Sequence, residues 1–154
     1  MSGRPLAAAL LAALALTSPA LASCVAPAPT TSAYEGKAVR TASDALSQVE
    51  TARMAVRAAA GGRMTRAYLE VVLTDAEDAF GSIQNTFDSV QPPDDPVADR
   101  LRDSLDSLLS GGADALGQVR IAARRNDTAT AAGATASLGR VAEGLDRFTQ
   151  EHPA

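Results

Sequence analysis

Aromatic side chains are scarce in this chain of 154 residues, which has no Trp, three Phe and two Tyr. A core built around large rings is therefore excluded. Alanine dominates an apolar share of 46%, so the interior must be thin and helix-friendly, because alanine is the strongest helix former and strand formers are few. Histidine occurs once, at His152, and cysteine once, at Cys24. One cysteine excludes an internal disulfide. A lone histidine excludes the paired Glu-x-x-His ligands of a di-iron or di-manganese bundle, and no Cys or Met cluster offers sites for haem or copper, so no cofactor is expected. A Cys–His nucleophile would have to be assembled from the two far ends of the chain, with nothing to orient the imidazole. Lys37 is the only lysine among fourteen basic residues, and eighteen acids leave a net charge of -4. That balance does not suit a surface that neutralises phosphates, and no nucleic-acid partner is expected.

Long apolar runs are also lacking, with one exception. Leu6–Leu16 is eleven residues of Leu and Ala without a charge, preceded by Arg4 and ended by Thr17, Ser18 and Pro19. A spanning helix needs about twenty such residues, so this run reads as the hydrophobic part of an export signal. Leu21, Ala22, Ser23 and Cys24 follow, and this quartet resembles the lipobox of bacterial lipoproteins. The resemblance implies a signal peptide over 1–23, cleavage before Cys24, and a diacylglyceryl thioether on its sulfur, often with a third acyl chain on the new amino group. Two or more chains anchor durably, each buried methylene contributing roughly 0.8 kcal/mol. Ala20-Leu21-Ala22 also spells an ordinary signal peptidase site, whose use would release a soluble protein with a free thiol. The Pro-, Thr- and Ser-rich stretch that follows is expected to serve as a flexible tether over 24–33.

From Tyr34 onward four stretches repeat apolar residues at threes and fours. The first has Val39, Ala42, Leu46, Val49, Val56 and Ala60, with Ala38, Ala45, Ala52 and Ala59 alongside, and Gly61-Gly62 as its stop. The second has Leu69, Leu73, Ala76, Phe80, Ile83, Phe87 and Val90, closed by Pro92-Pro93. Asp95 as N-cap and Pro96 at the first helical position restart the chain. The third carries Val97, Leu101, Leu105, Leu108, Gly112, Leu116, Val119 and Ala123, with Gly111-Gly112 a possible waist or kink. The fourth, capped by Asp127, carries Ala131, Ala134, Leu138, Val141, Leu145 and Phe148. Four long helices joined by short loops predict an all-α, antiparallel up-down-up-down four-helix bundle over 34–152.

Chemistry is thinly signalled. Glu70, Asp75, Glu77 and Asp78 fall mostly off the apolar stripe, as a solvated face would. Acids at Asp88, Asp94, Asp95, Asp99, Asp103 and Asp106 gather toward one end, and Arg53, Arg57, Arg63, Arg66, Arg120, Arg124 and Arg125 toward the other. Helix dipoles account for most of this, but Arg63 and Arg66 open the second helix, where cations are disfavoured. Arg63, Arg66, Arg124 and Arg125 are thus a candidate patch for an anionic partner, either an envelope polymer or an acidic protein surface. Small residues at Gly112, Gly139, Ala76 and Ala45–Val49 share one level, implying either close helix approach or a cavity for a small apolar ligand. The leading expectation is a non-enzymatic binding or structural module, exported and lipid-anchored through Cys24 on the extracytoplasmic side of a bacterial membrane. The competing one is a helical sensor or carrier that holds a small ligand between its helices.

Overall fold

The computed structural model describes residues 30–153, which form four helices and, among the described residues, no strand: α1 (Thr31–Ala60), α2 (Arg66–Asp88), α3 (Pro96–Arg125) and α4 (Thr128–Glu151). The expected signal peptide, Cys24 and the tether as far as Pro29 lie outside the described residues. An oxygen-bearing side chain opens each helix by accepting a backbone N–H. Thr30 accepts from Ala33 at 3.1 Å, Thr65 from Tyr68 at 3.3 Å, Asp95 from Val97 at 2.9 Å and Asp127 from Thr130 at 3.0 Å. Asp95 and Asp127 act as the sequence predicts. Thr30 does so unannounced, and with it α1 begins three residues before Tyr34, so Thr31, Ser32 and Ala33 are helix rather than tether. The helix ends are equally local. The Gly61 N–H closes on the Arg57 carbonyl at 3.1 Å, and Asn126 takes a left-handed conformation (φ 55°) that turns the chain into α4.

The face that α1 buries is not the one its largest side chains suggest. Tyr34, Ala38, Ala42, Ala45, Val49, Ala52 and Ala55 are buried, while Val39, Leu46 and Val56 are only partly so and Ala60 is exposed. The cause is the number of neighbours. α1 packs against α2, α3 and α4, and α3 likewise against the other three, whereas α2 and α4 do not touch. The section is a rhombus whose short diagonal is α1–α3, and only a methyl-sized face lets two backbones come that close. A similar shift occurs on α3, where Ala98, Leu109 and Ala122 are buried instead of Val97, Leu108 and Ala123, and Val97 is 53% exposed. α2 and α4 follow the predicted stripes at Leu69, Leu73, Ala76, Phe80 and Phe87, and at Ala134, Leu138, Leu145 and Phe148.

α3 runs unbroken through Gly111 and Gly112. Gly112 is required for packing: a Cβ there would clash with the tip of the Phe80 ring, with Cε2 at 3.0 Å and Cζ closer still, and that ring is fully buried. The waist is closed by an aromatic ring inserted into a glycine notch. Gly144 makes a similar notch, but what lies above it is the end of a half-buried Leu108 side chain rather than a buried ring. Gly81 and Gly133 face open space.

These differences set a mutational order. Alanine gains about 1 kcal/mol over glycine in a helix interior, while overpacking a tight core costs about 1–3 kcal/mol. Gly81→Ala and Gly133→Ala should each raise the denaturation midpoint, Gly144→Ala should leave it level or raise it, and Gly112→Ala should lower it. Urea titrations of the four variants check this order, and a stabilised Gly112→Ala would show that the notch is not needed.

Candidate functional site

The candidate arginines lie where the helix termini put them. Arg63 is in the α1–α2 turn, Arg66 is the first residue of α2, and Arg124 and Arg125 end α3; all four are exposed. Arg66 is answered by Glu70 one turn on, at 3.4 Å, so the carboxylate offsets a cation placed at the positive end of a helix dipole. Arg53 and Arg57 share Glu50, the latter at 3.9 Å, and Arg120 pairs with Glu77 across α2 and α3. Arg63, Arg124 and Arg125 have no ion-pair partner among the described residues. Arg124 and Arg125 line a surface cleft of about 270 Å³ with Ile121, itself 39% exposed. The seven-arginine cluster read from the sequence therefore resolves into four paired arginines and three with their charge available. Cys24 lies outside the described residues.

The start of α1 meets the end of α2, the start of α3 and the end of α4. Thr31 donates its hydroxyl to Asp95 at 2.5 Å, His152 Nδ1 lies 3.0 Å from Glu35 Oε1, and the Tyr34 and Phe87 rings stand 5.7 Å apart. Arg102 from α3 donates to the Asp88 and Val90 carbonyls at 3.3 and 3.2 Å, giving α2 the cation that its own last turn lacks. Arg102 also lies 3.5 Å from Asp106, whose Oδ1 is buried without a hydrogen-bond partner, as is the hydroxyl of Tyr34. Burial pushes the Tyr34 phenol up, with the carboxylates of Asp106 and Asp99 adding to it and Arg102 opposing. The Tyr34–Arg102–Asp106 cluster is invisible in the sequence, because Tyr34 stands 68 or more positions from the other two and is joined to them only by packing. His152 is likewise no loose tail. It caps α4 with its ring 4.8 Å from that of Phe148.

Among the described residues no three of His, Cys, Asp and Glu gather closely enough to hold a metal ion, and no helix is long and apolar enough to cross a membrane. The larger clefts are surface depressions. One of about 640 Å³ lies over Gly81, Ser82, Asn85 and Thr86 on α2, and two of about 400 and 290 Å³ follow the α3–α4 seam. At the waist, Ala45, Val49 and Ala76 are buried and Phe80 occupies the notch at Gly112.

Two carboxylates at this end respond to pH with opposite sign. Burial raises the Asp106 carboxyl above its usual range, with Arg102 opposing and Asp88 assisting. The stability it contributes is present at acid pH and is lost as pH rises through its raised pKa. The Thr31 hydroxyl, then the Val97 N–H, lower the Asp95 carboxyl, so its contribution is present above the ordinary carboxylate range and is lost as pH falls through its lowered pKa. Between about pH 4 and pH 7 the melting temperature of wild type relative to Asp106→Asn should fall as pH rises. An Asp95→Asn variant should lose ground to wild type as pH rises toward about pH 4 from below. Parallel melting curves for Asp106→Asn and wild type at every pH would rule out the raised carboxyl.

Comparisons with protein-family models, with curated proteins and with solved structures found no match for this chain.

Proposed function

We propose that this protein is an exported lipoprotein of a bacterial cell envelope, held to the outer side of a membrane by acyl chains on Cys24, and that its helical body acts by binding or placement rather than by catalysis. The observation that carries the reading is the quartet Leu21-Ala22-Ser23-Cys24 standing just ahead of a capped helix, with Val25–Pro29 between Cys24 and the cap at Thr30. Six peptide steps reach at most about 20 Å, so the body rides close to the lipid. In this proposal the four helices run up, down, up, down. The contacts Thr31–Asp95, Glu35–His152 and Arg102 to the end of α2 support that order, with the start of α1 facing the membrane. The turn carrying Arg63 and the end of α3 carrying Arg124 and Arg125 then point away from it.

The outward end is proposed to meet an anionic partner, an envelope polymer or an acidic protein surface. Arginines without an internal counter-charge support this, since their field is not cancelled at short range.

Two measurements test these readings. Intact-mass analysis of the mature protein should give a chain that starts at Cys24 and carries at least a diacylglyceryl adduct, and Cys24→Ala should move the protein out of the membrane fraction. A mature chain that begins at Ser23 with a free thiol would end the lipoprotein reading. For the partner, replacing Arg63, Arg66, Arg124 and Arg125 by Ala should weaken sedimentation with isolated envelope material by about tenfold or more at low salt, with the difference shrinking as salt rises. Equal binding by both proteins across the salt series would remove the patch.

A further inference from the structure

Among the exposed charges that form no ion pair with another described residue, six can be set in two matching rows, Asp75, Asp44 and Arg40 on the α1–α2 side and Arg140, Arg147 and Glu151 on α4, with Glu143 and Asp146 on α4 lying off the second row. Along α4 the row reads plus, plus, minus at steps of seven and four residues, about 10 Å and 6 Å at 1.5 Å per residue. On the other side, Asp75 lies nine residues past Arg66 at the start of α2, and Asp44 sixteen residues before Ala60 at the end of α1. With those turn-side ends level, the two acids are about 10 Å apart along the axis and Arg40 is about 6 Å further. That row reads minus, minus, plus at the same steps. Both rows also point the same way. The first runs from the Gly61 turn toward the start of α1, and the second runs toward His152, which lies against Glu35 in the first turns of α1.

The surfaces that carry the rows fit in other respects. Asp44, Thr51 and Ala58 on α1 and Asp75, Val71 and Tyr68 on α2 recur at helical spacing on lines that converge on the turn, where the Arg63 N–H bonds the Ala58 carbonyl at 2.9 Å. Tyr68 and Val71 are 59% and 53% exposed, leaving an uncovered apolar strip beside the acids. Opposite them, the two clefts on the α3–α4 seam share Ser107 and Leu108; Arg140 and Asp114 line one, and Arg147 and Glu151 line the other. Because α2 and α4 do not touch while each packs on both α1 and α3, the α1–α2 and α3–α4 sides are opposite sides of the body.

We propose that the protein associates with itself side by side, the α1–α2 face of one copy docking on the α3–α4 seam of the next, with Asp75 against Arg140, Asp44 against Arg147 and Arg40 against Glu151. Reversing one copy would set Asp75 against Glu151 and Arg40 against Arg140, so of the two orientations the parallel one pairs opposite charges along the rows. The contact is heterologous and does not close on itself, which yields rows rather than a symmetric pair. Every copy in a row keeps the start of α1 on the same side, as chains anchored in one bilayer would, although the complementarity stands without the anchor. Exposed ion pairs are individually weak and screened by salt, so the rows form where the protein is concentrated, as on a membrane surface.

Cysteine cross-linking of the full chain in the fraction where it resides tests the register. With Asp75→Cys and Arg140→Cys together, mild oxidation should give a ladder extending past the dimer. Each single variant also carries Cys24, so bands at trimer and above that the double variant gives and neither single variant gives report the lateral contact, whether or not Cys24 is acylated. Adding Arg147→Glu should reduce the ladder by about fivefold or more at low salt, and adding Asp44→Arg to that variant should restore it. A double variant with no band above the dimer, a ladder indifferent to Arg147→Glu, or a failure of Asp44→Arg to restore it would overturn the proposal.

Discussion

The structure depends on how closely α1 can approach α3. Five alanines on the buried face of α1 keep that diagonal short, and a rhombic section with α2 and α4 held apart follows from it. Each buried methyl contributes little, so the larger part of the apolar burial comes from the flanks: Leu73, Phe80 and Phe87 on α2, Leu105, Leu109 and Leu116 on α3, and Leu138 and Leu145 on α4. The same closeness makes Gly112 indispensable, because the Phe80 ring has to lie where a Cβ would be. A thin, alanine-rich core and a glycine inside a long helix are thus one solution to one geometric demand.

Charge is handled at the termini rather than in the interior, which holds no buried polar or charged residue among those described. Local caps open the helices, and where a helix lacks its own counter-charge a neighbour supplies it, as Arg102 does for the end of α2. Asp106 bears the consequence. It lies beside Arg102 but under enough protein that burial raises its carboxyl above the usual carboxylate range. The opposite end has the reverse arrangement, with arginines on or beside helix ends and Arg63, Arg124 and Arg125 without carboxylate partners among the described residues. Such polarity suits a body with one end near a membrane and the other turned outward, as proposed.

The fold was legible in the sequence to the extent that it is local. Helical spacing marked four helices, Asp95-Pro96 and Asp127 marked two starts, and Gly61 marked an end, because caps and turns depend on residues within four positions of one another. The buried face of α1 was misjudged because Val39, Leu46 and Val56 are more apolar than Ala38, Ala45 and Ala52; a face that meets three helices is selected for smallness. The patch at Arg63, Arg66, Arg124 and Arg125 was legible as position, but which of its charges were already met was not.

By itself the sequence determined that the chain is helical, where α1 stops and which residues cap α3 and α4, and that one cysteine follows an export-like segment, since each of these rests on neighbours along the chain. Only the tertiary structure decided which stripe of α1 is inside, that Gly112 is a socket for Phe80, that Tyr34, Arg102 and Asp106 share a corner, and that the free charges of two opposite faces repeat at the same intervals. These depend on distances between residues far apart in the chain, and side-chain size and backbone approach set those distances only once four helices are packed.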